Sequence, residues 1–145
     1  MPWVELAPDS RIGYAKDQVW TPSFATTGGG SSGWDTSVCR YKRIGNLIVA
    51  QGKLQGDYCY YGTGNWLLNG LPATPRDDGG GVHLGYTYYY NVGRASYGSI
   101  LYYGGQAQFV GINASNGGFQ IWNHTTFTGP AGWRSINMRL MYEAA

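Results

Sequence analysis

The hydrophobic and polar positions of this chain alternate in short runs that are separated by glycine-rich turns, a pattern typical of antiparallel strands. No run has the i, i+3, i+4, i+7 apolar spacing of a helix over helical length. We therefore expect about nine strands, at residues 19–27, 37–44, 47–56, 64–72, 82–92, 97–105, 106–112, 118–122 and 135–143. Strands at this spacing predict an all-β, jelly-roll-like antiparallel β-sandwich, with residues 19–145 as one domain.

The segment CRYKRIGNLIVAQGKL, residues 39–54, predicts a hairpin. Its centre, Gly45-Asn46, is a two-residue connection that accepts positive φ. Pairing across it places apolar residues on both faces of the hairpin. One face can line the core: Cys39, Tyr41, Ile48, Ala50 and Leu54. The other carries Ile44, Leu47 and Val49 among Arg40, Lys42 and Gln51. An isolated copy of the domain would leave the apolar residues of this second face in water.

Composition agrees with a β-rich chain and excludes several classes of protein. The 145 residues suit one domain, and 24 Gly, 13 Tyr and only 12% charged residues favour many tight turns. A net charge of +2 without a clustered basic face predicts no nucleic-acid partner. No apolar run reaches the ~20 residues that span a bilayer, so membrane insertion is not expected. With no signal peptide at its start, the chain is expected to be made in the cytoplasm with Cys39 and Cys59 reduced.

The first 18 residues differ from the rest, since they lack strand alternation and hold two of the six prolines. Trp3, Val4 and Leu6 are apolar side chains that an isolated arm would leave in water. One interpretation is a disordered terminus with incidental apolar residues. The other is an extended arm, residues 1–18, that docks on a neighbouring molecule through those three side chains.

Seven of the 13 tyrosines lie between residues 85 and 105. In a strand, Tyr86, Tyr88 and Tyr90 share one face while Tyr89 takes the other. Tyrosine offers a large rigid surface with a polar tip, so the three are candidates for a glycan-binding platform. The alternative is that one face packs in the core or in an interface between copies of the chain. Trp122 and Trp133 are expected in the core.

Catalytic and metal-binding patterns are missing from the sequence. Two His and eight acidic residues occur, without HExxH, GxSxG, P-loop or CxxC spacing. Asp77-Asp78 precedes three glycines, but the further oxygen ligands of a calcium loop are absent, so a solvated loop is expected. His83 and His124 are expected at or near the surface rather than as metal ligands. We predict no enzyme, no cofactor and no metal.

An ordered series of motifs carries a family resemblance. Trp20-Thr21-Pro22-Ser23-Phe24 precedes a Gly/Ser loop, the hairpin above follows, and then come YGTGNW at residues 61–66, Leu71-Pro72, and a last strand closing on Met-Tyr-Glu-Ala-Ala. The series resembles a domain of minor tail, tail-fibre and head-decorating proteins of tailed bacteriophages, from about residue 20 to 145 and most weakly between 73 and 108. DYCYYG around Cys59 and the tyrosine block depart from that pattern. The resemblance implies a jelly-roll-like, non-enzymatic homotrimer on the virion surface. Such a trimer would cover the second apolar group of the hairpin, so we predict that Ile44, Leu47 and Val49 form a trimer interface.

Two functional hypotheses follow. The first is a virion structural protein of capsid-decoration or head-fibre type, attached to major capsid or tail proteins through its N-terminal arm. The alternative is a tail-fibre or tail-tip module that binds a bacterial surface glycan through its tyrosines. A lyase or hydrolase ranks third, because paired carboxylates on neighbouring strands are not apparent.

Overall fold

The computed structural model describes residues 17–57, 59–92, 95–112, 119–121 and 133–145. These residues hold twelve strands and no helix, which confirms the predicted all-β class. The strands are β1 Gln18–Val19, β2 Ser23–Thr26, β3 Ser31–Ser32, β4 Asp35–Ile44, β5 Leu47–Asp57, β6 Tyr60–Tyr61, β7 Trp66–Asn69, β8 Val82–Val92, β9 Ala95–Tyr103, β10 Gln106–Ile112, β11 Phe119–Ile121 and β12 Trp133–Glu143. Trp3, Val4, Leu6, Trp122 and His124 lie outside the described residues, so the predictions for them are not tested.

Ten strands form one antiparallel sheet in the order β1-β4-β5-β12-β8-β9-β10-β7-β2, with β11 paired to β10. Strands β3 and β6 form a separate pair. The last strand, β12, lies between β5 and β8, and pairs with β5 from Trp133↔Asp57 to Glu143↔Leu47. The finer prediction of a jelly-roll sandwich is not confirmed, because the strands of the larger sheet follow a single hydrogen-bonded path.

The sheet curls so that its two ends approach each other. Strands β1 and β2 lie at opposite ends of the path, yet only residues 20–22 separate them in the chain. Trp20 links the ends: its backbone N–H donates to the Cys39 carbonyl at 3.1 Å, and its indole Nε1 donates to the Gly70 carbonyl at 2.6 Å. Phe24 of β2 also stacks on Trp34, just before β4, with ring centroids 4.7 Å apart. Pro22 comes directly before the edge strand β2, a position that suits a residue without a backbone N–H.

The curled sheet encloses one hydrophobic core. Its most deeply buried side chains are Trp66, Phe109, Ile48, Leu54, Leu84, Ile100, Ile136, Met138 and Leu140. Burying an apolar side chain of this size contributes about 1.5–3 kcal/mol relative to leaving it exposed. From Ile136 to Met141 on β12 the buried and less buried residues alternate, so Arg139 and Met141 lie on the outside.

The predicted hairpin is confirmed as β4 and β5. Gly45 has φ 60°, and the register pairs Ile44 with Leu47 and Arg43 with Ile48. Four residues of the predicted core face are buried, Cys39, Ile48, Ala50 and Leu54, and Tyr41 is partly buried. A bulge between Ser37 and Arg40 interrupts the pairing near the start of β4.

The core prediction for Trp133 is wrong. This side chain is 47% exposed. Ile136, Met138 and Leu140 point inward from β12. Strand alternation then places Trp133 on the same side as Arg139 and Met141, which are exposed.

Candidate binding face

Central strands of the sheet share an outward face, on which paired residues of neighbouring strands point to the same side. One row runs across four strands: Arg40 of β4 pairs with Gln51 of β5, Gln51 with Arg139 of β12, and Arg139 with Tyr86 of β8. All four residues are exposed. We call Arg40, Gln51, Arg139 and Tyr86 the arginine row.

The two rows beside the arginine row contain a cluster of apolar side chains. Val49 of β5 pairs with Lys42 on one side and Met141 on the other, and Leu47 pairs with Ile44 and Glu143. We call Ile44, Leu47, Val49 and Met141 the apolar end. Ile44, Leu47 and Met141 are exposed, Met141 by 62%, and Val49 is partly buried. The structure thus places the three predicted interface residues on one continuous surface and adds Met141 to them.

Sequence analysis missed Met141 because nothing in the sequence pairs β12 with β5. Its position two residues after Arg139 assigns it to the outward face of β12. Only the sheet order then sets it beside Val49. The alternation of residues along β12 indicates that Met141 shares a face with Arg139. It does not indicate which strand lies beside β12.

The predicted tyrosine alternation is confirmed. Tyr86, Tyr88 and Tyr90 are exposed, Tyr86 by 71%, whereas Tyr89 is only 2% exposed. Tyr88 pairs with Tyr97 of β9, and their ring centroids are 5.3 Å apart. Tyr97, which sequence analysis did not single out, is exposed as well and extends the aromatic surface onto β9.

A groove of about 680 Å³ lies where the arginine row meets the apolar end. Its walls include Arg40, Gln51, Tyr86, Arg139, Val49 and Met141. The imidazole of His83, on β8, also lines it and contacts the Tyr86 ring edge-on, with centroids 5.1 Å apart. The volume falls within the ~300–1,000 Å³ typical of ligand sites.

Charge in this groove is positive. The Lys42 Nζ pairs with Asp17 Oδ1 at 3.5 Å, and both residues line the groove. Within the described part of the chain, neither Arg40 nor Arg139 forms an ion pair. Two guanidinium groups therefore remain as uncompensated charges among the described groove residues, while the one described carboxylate there is matched by Lys42.

The two predicted sites consequently adjoin each other. The trimer candidates Ile44, Leu47 and Val49 lie on β4 and β5, and the glycan candidates Tyr86, Tyr88 and Tyr90 lie on β8. Only β12 separates the two sets. Neither trimer formation nor glycan binding is tested by this arrangement.

The aspartates of the 76–81 loop lie at the surface. Asp77 Oδ1 accepts the Gly79 backbone N–H at 2.9 Å, and Arg76 contacts Asp78 at 3.6 Å and Glu143 at 3.4 Å. Across the described residues, no group of three or more His, Cys, Asp or Glu could hold a metal ion. Residues 76–80 are exposed, and Arg76 joins this loop to the end of β12 through Glu143.

The two cysteines are buried free thiols. The Cys39 Sγ accepts the Lys53 backbone N–H at 3.4 Å, and the Cys59 thiol donates to the Gly33 carbonyl at 3.2 Å. Burial raises the pKa of Cys59, and the nearby Arg134 charge opposes that shift. A raised pKa favours the protonated thiol over the reactive thiolate, and burial limits access to the sulfur. Neither property marks Cys59 as a nucleophile.

No protein-family model matches this chain, and no curated protein or solved structure matches it significantly. Among the residues described, no helix is long and apolar enough to cross a membrane. The bacteriophage resemblance accordingly rests on the ordered motifs of the sequence alone.

Proposed function

We propose that the protein is a non-enzymatic structural protein of a bacteriophage virion surface. In this proposal it is a homotrimer of capsid-decoration or head-fibre type, its curled sheet is a variant of the jelly-roll-like sandwich, and residues 1–18 attach it to capsid or tail proteins. The apolar end of the outward face is the observation that carries the proposal. The ordered motifs from Trp20 to the C-terminus supply the virion context.

Four apolar side chains on three paired strands are more than scattered surface residues. A single exposed Val or Met is ordinary on a protein surface, whereas a contiguous apolar group with a charged rim is typical of an interface. Here the charged neighbours are Lys42, which pairs with Val49, and Glu143, which pairs with Leu47. A closed ring of three copies, each presenting this end, would remove the apolar group from water.

The position of Asp17 is compatible with attachment through the residues that precede it. Asp17 precedes the edge strand β1 and reaches the outward face through its ion pair with Lys42. The first described residues therefore lie at an edge of the sheet. An arm that starts there can contact a second molecule without unfolding the domain.

Deletion of residues 1–16, which keeps strand β1 and the Asp17–Lys42 ion pair, tests the attachment. The shortened protein should remain a folded trimer, judged by circular dichroism and sedimentation, and should no longer bind purified virions that lack the full-length protein. The full-length protein added to the same particles is the control. Particle binding that survives the deletion would refute the arm. A low-resolution map of the virion then shows whether the trimers lie on the capsid, as proposed, or at the tail tip.

A receptor-binding module is the second candidate, and the exposed tyrosines of β8 and β9 favour it. The separate Tyr88→Ala and Tyr90→Ala variants should each weaken binding to host cells, measured by retention of labelled protein on cells. Tyr103→Ala, at an exposed tyrosine beside the β9–β10 turn, is the matched control. Unchanged adsorption by both variants, together with a blank glycan array, would exclude this candidate.

A further inference from the structure

We infer that the groove bounded by the arginine row is a binding site for an acidic glycan, that is, a carbohydrate bearing carboxylate groups. The inference deepens the receptor-binding candidate of the proposed function and rests on it. It assigns the recognition to Arg40, Gln51, Arg139 and Tyr86, two of which are cations and only one of which belongs to the predicted tyrosine set.

The spacing of the row is fixed by the sheet. Arg40 and Arg139 flank Gln51 on the strands either side of β5. Neighbouring strands lie about 4.8 Å apart, so the two arginine Cα atoms are separated by roughly 10 Å. Two positive charges at this spacing, with an amide between them, suit an extended anionic molecule that lies across the strands rather than one small ion.

Guanidinium groups are the side chains best matched to carboxylates. Each can donate two parallel hydrogen bonds to one carboxylate, which adds geometric selectivity to the attraction of charge. In the described part of the chain, no carboxylate occupies either Arg40 or Arg139. The side-chain amide of Gln51 can both donate to and accept from a sugar hydroxyl between them.

Tyr86 supplies the apolar part of sugar recognition. Its ring is 71% exposed, yet the edge-on contact with His83 holds it at the groove wall. An aromatic face carries negative partial charge, which attracts the C–H groups of a sugar ring. One end of the groove therefore offers stacking, while the middle and the other end offer hydrogen bonds and charge.

Nucleic acid fits this surface less well. A nucleic-acid site is expected to show a clustered basic face that neutralises several phosphates. Here the groove has two unmatched cations, and Lys42 is already neutralised by Asp17. The groove combines two cations with an amide and an aromatic ring. These groups suit a polymer that carries few charges and many hydroxyl groups, as an acidic polysaccharide does.

Binding of the full-length protein to a glycan array tests the site. The array should pair uronic-acid, sialic-acid and pyruvylated oligosaccharides with neutral counterparts of the same backbone. We expect at least one acidic glycan to bind more tightly than its neutral counterpart, and less tightly as salt is raised. Arg40→Gln and Arg139→Gln should each weaken that binding about tenfold or more, because a charged hydrogen bond is lost. Tyr86→Ala should weaken it too.

Matched controls are Arg76→Gln, an exposed arginine outside the groove, and Tyr103→Ala, both of which should bind as the wild type does. The inference is overturned if no acidic glycan is preferred to its neutral counterpart, if Arg139→Gln binds normally, or if only DNA or acidic peptides bind.

Trimer mass and virion binding of Arg139→Gln, measured alongside, should be unchanged. A variant that loses the glycan but keeps both properties therefore separates this site from the structural role. A monomeric wild type that still binds the glycan would refute the trimer alone.

Discussion

The two faces of β8 and β12 are built from alternating residues of the same strands, yet they differ in almost every physical property. The inward residues of these strands, such as Leu84, Tyr89, Met138 and Leu140, are almost completely buried in one core. Outward residues, such as Tyr86, Tyr88, Arg139 and Met141, are exposed. Tyrosine and methionine occur on both faces, so residue type alone does not decide which is which.

What decides is position within the pleat. Tyr88 and Tyr89 are adjacent in the chain, and a one-residue shift in register would exchange their environments. The apolar residues of the inward face are buried and so stabilise the fold. The outward face keeps large side chains in water, which costs solubility unless another molecule covers them. The contrast teaches that the outward face is the part of the domain available for partners.

The adjacent tyrosines give the largest expected difference. Tyr89→Ala should lower the free energy of unfolding by about 3–5 kcal/mol, because it empties a space in the core. Tyr88→Ala should lower it by less than about 1 kcal/mol, since Tyr88 is 44% exposed and lies outside the core. Urea denaturation of the two variants and the wild type measures both. Equal losses for the two variants would contradict the assigned faces.

Close contact between β8 and β12 gives the next effect. Gly85 lies where a Cβ would collide with the Arg139 carbonyl oxygen, so Gly85→Ala should cost about 1–3 kcal/mol by overpacking. Gly80→Ala is the matched control, because an added Cβ there meets nothing within 4 Å. Thermal denaturation of both variants tests this. A Gly85→Ala protein as stable as the Gly80→Ala protein would show that the two strands do not pair closely.

Buried tyrosine also makes stability depend on pH. Burial raises the pKa of Tyr142 from its ordinary value near 10, and its hydroxyl donates to the Ala73 carbonyl at 2.9 Å. Above pH 10 the unfolded chain loses this proton while the folded chain keeps it. The stabilisation is thus fully present below pH 10 and is lost as pH rises towards the folded pKa.

Tyr142→Phe should cost about 1 kcal/mol at neutral pH through the lost hydrogen bond. It should also reduce the decline in stability above pH 10. Urea midpoints for the wild type and the variant, taken at neutral pH and at several alkaline values, measure both effects. Parallel curves across that alkaline range would show that Tyr142 does not contribute to the decline.

Much of the fold was predictable because it depends on local patterns. Period-two alternation located most of the strands, and Gly45-Asn46 fixed the β4–β5 register. The same alternation placed Tyr88 and Tyr89 on opposite faces, and the structure shows that Tyr89 is the buried one. Each of these follows from a few neighbouring residues, so no knowledge of distant pairing was required.

The site was less predictable because it depends on which strands become neighbours. β12 separates the hairpin from β8, and only that arrangement places Arg139 between Gln51 and Tyr86. Alternation could not reveal this order, nor that one curled path holds ten strands. The prediction for Trp133 was wrong in the opposite sense. A core position was expected for this residue, but it shares the exposed side of β12 with Arg139 and Met141.

Assembly through the apolar end is the central claim, and the mass of the protein in solution tests it most directly. By sedimentation, the wild type should have three times the 15.9 kDa mass of one chain. Val49→Asp should be a folded monomer, because a charge buried in the interface is costly while the same charge on a monomer is solvated. Tyr103→Asp, on another exposed part of the sheet, should stay trimeric. A monomeric wild type, or a Val49→Asp protein that remains trimeric, would contradict the account.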